Sequence, residues 1–128
     1  MSAELYNGLT LAYIGDAYYE LLIRNKLIKK GYGKVNDLHK KCIKYTSGEA
    51  QSGFIMQMIN DGFLTEKEIE IFKKGRNCNA NHSKKNLDLQ KYQKATGLEA
   101  LIGFLYLDID LNRIDELISF IDELVKEV

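Results

Sequence analysis

Proline is absent from the 128 residues, and cysteine and histidine occur only twice each. No low-complexity tract or internal repeat interrupts the chain, so nothing in it marks a linker or a repeat architecture. The two cysteines, Cys42 and Cys78, have no CxxC spacing. A bridge between them stays open, but two free thiols suit a cytosolic protein. His39 lies three residues before Cys42, and two ligands on one helix face do not make a zinc site. Long hydrophobic runs are missing too. The most apolar stretches, residues 9–23 and 95–107, carry Asp16, Glu20 and Glu99, which argues against a membrane span. The first eleven residues lack a basic head and a cleavage-like tail, so no secretory signal is read there and a cytoplasmic location is expected. The length suits one compact domain over residues 1–128, and an apolar share of 45% can supply its core.

Net charge is also absent: eighteen basic residues balance eighteen acidic ones. The charges are not mixed, however. Residues 24–46 hold eight Lys/Arg and one Asp, residues 73–94 hold seven and one, and residues 99–128 hold eight acids and two bases. A neutral total can thus hide a basic face fit for a phosphate backbone, the plainer alternative being solvated helix surfaces.

Apolar spacing is helical throughout. Leu5, Leu9, Ala12, Tyr13, Tyr19 and Ile23 share a helical period that runs into the stop at Lys29-Lys30-Gly31. Val35, Leu38, Cys42 and Ile43 mark a second helix ending near Tyr45. A third spans residues 48–60, with Phe54, Ile55, Met58 and Ile59 inward, and Asp61-Gly62 makes a turn. Thr65 with Glu68 reads as a capping box opening a fourth helix through Ile69 and Phe72 to about Arg76. The polar stretch 77–86 reads as a loop, followed by a long apolar helix that is clearest over residues 92–107. Asn112 is the expected cap of a last helix whose stripe is Ile114, Leu117, Ile118, Ile121, Leu124 and Val125. No segment alternates as a strand would, so the fold class is all-α.

Two acids stand out. Asp16 and Glu99 are each a lone carboxylate in an uncharged, apolar helical segment, with glycines at 15, 97 and 103 beside them. A glycine inside a helix costs about 0.5–1 kcal/mol relative to alanine, which points to close backbone approach at these places. An unpaired buried carboxylate costs several kcal/mol, so each needs a companion: a Lys or Arg, a proton, or a metal. A structural ion pair or a helix cap is the plain alternative. Mg²⁺ is the sharper one, because it takes oxygen ligands and keeps several waters. Glu20, one turn after Asp16, is either an outer ligand or a solvated residue. A di-iron bundle would need Glu-x-x-His pairs, and the chain has none.

Leu11-Ala12-Tyr13-Ile14-Gly15-Asp16-Ala17 resembles the signature helix of the ribonuclease III family, and Glu99-Ala100-Leu101-Ile102-Gly103 resembles its second acidic motif. With Gly75-Arg76-Asn77, Lys85-Asn86 and the run from Tyr92 to Gly103, the chain is similar to the Mini-ribonuclease III subgroup, the bacterial form made of the catalytic domain alone. The resemblance covers about residues 9–117. It implies the helical endonuclease fold as a homodimer, without a double-stranded RNA-binding domain. Asp16 and Glu99 are implied as catalytic residues and ligands of Mg²⁺, with Mn²⁺ as a substitute. The positions seven and four before Asp16 and three before Glu99, acidic in full-length members, are Leu9, Ala12 and Thr96 here. One well-held ion is therefore expected, with a second, bound mainly by RNA phosphates, left open.

The implied partner is double-stranded RNA, and the family's usual role is maturation of the large-subunit (23S) ribosomal RNA precursor. A-form RNA is read through phosphates and 2′-hydroxyls. Arg76, Lys84 and Lys85 suit the phosphates; Asn77, Asn79, Asn81, His82 and Asn86 suit the hydroxyls. Lys40, Lys41 and Lys44 are secondary candidates, and Asn77 has an alternative role as the end of the fourth helix. The competing function is a catalytically silent, duplex-binding dimer of the same fold, which would not need both Asp16 and Glu99.

Overall fold

Six α-helices account for most of the computed structural model, which describes residues 2–78 and 87–126. Helix α1 (Gly8–Lys29) starts where the Asn7 side chain accepts from the Thr10 N–H at 2.8 Å, after a short 3-10 turn over Ala3–Leu5. Helices α2 (Val35–Thr46) and α3 (Gly48–Asn60) meet at Ser47, which ends the first and caps the second through Ala50 N–H. The Thr65–Glu68 capping box opens α4 (Glu66–Arg76) with both reciprocal bonds made, as the spacing predicts. Helices α5 (Leu87–Leu107) and α6 (Leu111–Lys126) complete the chain, and no strand occurs among the described residues. The chain is all-α.

Helix α5 is the axis of the molecule. It packs on α1, α3, α4 and α6, which explains why its middle is apolar on every face: Leu98, Ala100, Leu101 and Ile102 are all at most 1% exposed. Helix α6 lies outside, burying Ile114, Leu117, Ile118 and Ile121 as its stripe predicts, with Leu124 and Val125 partly covered.

Three expectations need correction. The last helix is not capped by Asn112, which lies within it. Asp110 does that work, its Oδ1 accepting from Arg113 N–H at 3.3 Å. The reason lies in the turn: α5 ends with Ile109 in the left-handed region (φ 58°) and Asp110 N–H bonded to the Leu105 carbonyl, which restarts the chain two residues early. Secondly, Leu5, Leu9 and Tyr13 are 72%, 51% and 83% exposed, although they share the period of the first helix. The buried face of α1 is instead Leu11, Ala12, Gly15, Tyr19, Ile23 and Leu27. Thirdly, part of the first basic run is neutralised. Asp122, 6% exposed on α6, receives Lys30 at 3.0 Å, Lys26 at 3.4 Å and the Tyr45 hydroxyl at 2.7 Å. These contacts hold its carboxyl far below the usual range against the opposing effect of burial.

Another interior ion pair closes the opposite side. Arg113 binds Glu68 through two parallel N–H···O contacts of 2.8 Å, donates to the Phe63 carbonyl at 2.7 Å and stacks over the Phe63 ring. Glu68 therefore serves both the cap of α4 and the docking of α6.

Candidate active site

Glycine brings the acids together. At the crossing of α1 and α5, a Cβ on Gly15 would run into the carbonyl oxygen of Glu99, and one on Gly103 into the carbonyl of Leu11. The two helices thus touch backbone to backbone, which only residues without a side chain permit. Asp16 follows Gly15, and Glu99 is the residue whose carbonyl rests on it. The Asp16 carboxyl lies near enough to that of Glu99 to raise it as a neighbouring acid.

Their environments differ. Asp16 is exposed, so the expectation of a buried carboxylate does not hold for it: its helix face also carries Leu9 and Tyr13 and is uncovered in a single chain. Glu99 is half-buried. Its carboxyl is pushed up to about 8, first by burial, then by Asp16 and more weakly by the Glu20 charge, while a hydrogen bond from Gln51 opposes the rise. Glu20 itself pairs with Arg24 one turn along at 2.9 Å, a contact on the surface of α1. Its charge reaches Glu99 even so.

Two adjacent carboxylates, one of them kept from ionising by burial and by the other, form a site that a cation would relieve. The donors are all oxygen and one edge is open to solvent, which suits a hard divalent ion that keeps waters. Among the described residues no group of three or more His, Cys, Asp and Glu is placed to hold a metal. Thr96, where full-length members carry an acid, is 5% exposed and turns its hydroxyl back to the Tyr92 carbonyl at 2.9 Å. It adds no ligand. Leu9 points to solvent and Ala12 into the core.

Helix α4 crosses α5 beside this pair. A Cβ on Gly75 would meet Ala100 Cβ at 2.5 Å and Gly97 Cα at 3.0 Å, so the end of α4 lies against the turn of α5 that holds Glu99. Arg76 and Asn77 follow directly. The Arg76 guanidinium lies over the Phe72 ring and its Nε donates to Asn77 Oδ1 at 3.1 Å. Asn77 caps the C-terminus of α4, its N–H bonded to the Lys73 carbonyl. The other candidates in this region, Asn79, Asn81, His82, Lys84, Lys85 and Asn86, lie outside the described residues. Lys41, by contrast, sits over Tyr32 at 5.3 Å, between α1 and α2.

One residue of the site escapes sequence reasoning: Gln51, 3% exposed on α3. The signal was there to read. Gln51, Ile55 and Met58 share one buried stripe, and a lone amide on such a stripe needs a polar partner in the core.

Residues 9–110 match the family profile described as Ribonuclease III domain. The chain is 43% identical to the Mini-ribonuclease 3 of Streptococcus pneumoniae, over 94% of each chain. It is 45% identical to the Mini-ribonuclease 3 of Clostridium tetani, over 94% of this chain and 80% of that one. A crystal structure of a Fusobacterium nucleatum protein, 33% identical, superposes with a TM-score of 0.79, covering 91% of this chain and 93% of that one.

Proposed function

Since the chain belongs to the ribonuclease III family and is an endoribonuclease, we propose that Asp16 and Glu99 are its catalytic, Mg²⁺-binding pair and that it cuts double-stranded RNA. The observation that carries this reading is the placement of two carboxylates at the Gly15–Gly103 crossing, with Glu99 raised by burial and by its neighbour. A divalent ion at such a pair supplies Lewis acidity, polarising a phosphate and easing deprotonation of water. The chain's own part is to present that pair. Asp16 faces solvent, where a substrate phosphate approaches, and Glu99 anchors the pair from the helix interface. Mn²⁺ is expected to substitute for Mg²⁺, and the ends left by hydrolysis are 5′-phosphate and 3′-hydroxyl.

Affinity for the duplex is assigned to the end of α4 and the segment after it: Arg76, Asn77, Lys84, Lys85 and Asn86. The packing of α4 against the Glu99 turn supports this assignment for the first two. Single-domain architecture over residues 1–128 and the large-subunit ribosomal RNA precursor as transcript rest on the family's usual form and role.

A homodimer is part of the same proposal. Leu9, Tyr13, Asp16 and Glu20 follow one another at spacings of four, three and four along α1, so the exposed apolar stripe runs straight into the acid pair. A partner covering Leu9 and Tyr13 would bury that stripe and bring two acid pairs onto one surface, matching a duplex whose strands are related by approximate two-fold axes. No helix among the described residues is long and apolar enough to cross a membrane.

Incubation with long double-stranded RNA tests the whole reading. Cleavage is expected in Mg²⁺ and not in EDTA. Intact RNA at high enzyme excess with Mg²⁺ present would favour the silent, duplex-binding alternative.

A further inference from the structure

Buried amides are expensive. A carboxamide taken out of water without a partner costs roughly 1–3 kcal/mol, and an apolar residue of the same size would avoid that cost. Gln51 nevertheless sits one turn into α3, 3% exposed, on the stripe it shares with the fully buried Ile55 and Met58. Its backbone N–H is already bonded to the Ser47 carbonyl at 2.9 Å, so only the side chain needs a partner. Helix α3 packs on α5, and the buried Gln51 amide bears on the Glu99 carboxylate there in the sense of a donor. Asp16 reaches the same carboxylate from α1. Glu99 is thus held between two helices that both pack on its own.

We propose that Gln51 is a positioning residue, whose buried amide fixes the Glu99 carboxylate as a metal ligand from the side opposite solvent. The inference rests on the assignment of Asp16 and Glu99 to the metal. A glutamate side chain has three rotors, and ordering it when an ion arrives costs free energy that a preformed hydrogen bond removes. With two carboxylates among the described residues assigned to the shell, the position of each matters more than in a site with four.

The test is Mn²⁺ titration of the intact protein, RNA-free, for the wild type and for Gln51→Met, Gln51→Asn, Ser52→Ala and Asp16→Asn. Methionine keeps the length of glutamine and lacks the donor; asparagine keeps the amide and falls short of Glu99. Both variants are expected to bind Mn²⁺ about tenfold or more weakly, as loss of a ligand's supporting hydrogen bond does elsewhere. Their cleavage should recover as Mg²⁺ is raised, with duplex affinity in EDTA unchanged. Ser52→Ala, an equally interior change at the next position, should leave Mn²⁺ affinity unchanged and so separates packing from positioning. Folded Gln51→Met or Gln51→Asn protein that binds Mn²⁺ within about twofold of wild type would overturn the proposal. Equal binding by wild type and Asp16→Asn would overturn instead the metal assignment beneath it.

Discussion

Glu99 carries the chemistry that is easiest to test at the scale of one residue. Its carboxyl is raised to about 8 by burial and by Asp16, so near pH 7 the metal-free protein holds a proton there. A divalent ion requires the ionised form. Ion binding at pH 7 should therefore release close to one proton, and affinity should climb with pH until about 8, where the folded-state proton is lost anyway. Calorimetry in buffers of different ionisation enthalpy reads the proton directly. Binding at pH 7 with no proton release would show that Glu99 is already ionised. Both acids are legible in the sequence as lone charges in apolar helices, but burial accounts for only one of them. Glu99 is half-buried, while Asp16 is conspicuous because its whole helix face is exposed. Hydropathy along a chain does not distinguish an apolar face that packs inward from one left exposed, and Leu5, Leu9 and Tyr13 share the helical period of Ala12, Tyr19 and Ile23 while lying outside the core.

Between elements, contacts of two kinds set the helix positions. The first is the glycine crossing of α1 and α5. Gly15→Ala would place a methyl group against the Glu99 carbonyl, a backbone atom that cannot rotate aside. The helices must separate, at about 3 kcal/mol of stability or more, and the acids separate with them. Melting within about 2 °C of the wild type would show that the crossing tolerates a side chain. Glycine content pointed to such approach, since each helical glycine has a propensity cost, yet the identity of the facing backbone could not be inferred from one helix at a time. The second kind is the Asp122 cluster, which ties α6 to α1 and α2. Its pairing depresses the Asp122 carboxyl in the folded state, so the associated stability is present above the unfolded value near 4 and is lost as pH falls below it. Asp122→Asn should melt lower at neutral pH and flatten the decline between about pH 5 and 2. Identical acid slopes for the two proteins would remove Asp122 from that role. Nothing in the spacing of residues 26, 30, 45 and 122 announced the cluster: charge segregation located its two halves, and only tertiary packing paired them.

For the molecule as a whole, the sequence patterns of α3 and α4 translate almost directly into structure, because each has one buried face and a clear cap, whereas α6 keeps its expected stripe but starts from Asp110 rather than Asn112. Helix α5 does not, being apolar all round as the axis on which the others pack. The exposed stripe of Leu9 and Tyr13 beside Asp16 is the face on which the proposed second copy of the chain would pack. Tyr13→Glu would put a charge in that stripe and is expected to yield monomers by light scattering, with a normal helical spectrum and weakened cleavage of duplex RNA. A Tyr13→Glu dimer as tight as the wild type would move the interface elsewhere.

The central claim, that Asp16 and Glu99 are the metal-dependent cutting centre, is tested most directly by Asp16→Asn acting on long double-stranded RNA in Mg²⁺. Because Asp16 is exposed and one atom substitutes for another of similar size, folding and duplex binding should persist. Cleavage should fall by at least about a hundredfold. An Asp16→Asn enzyme that cuts at the wild-type rate would contradict the account.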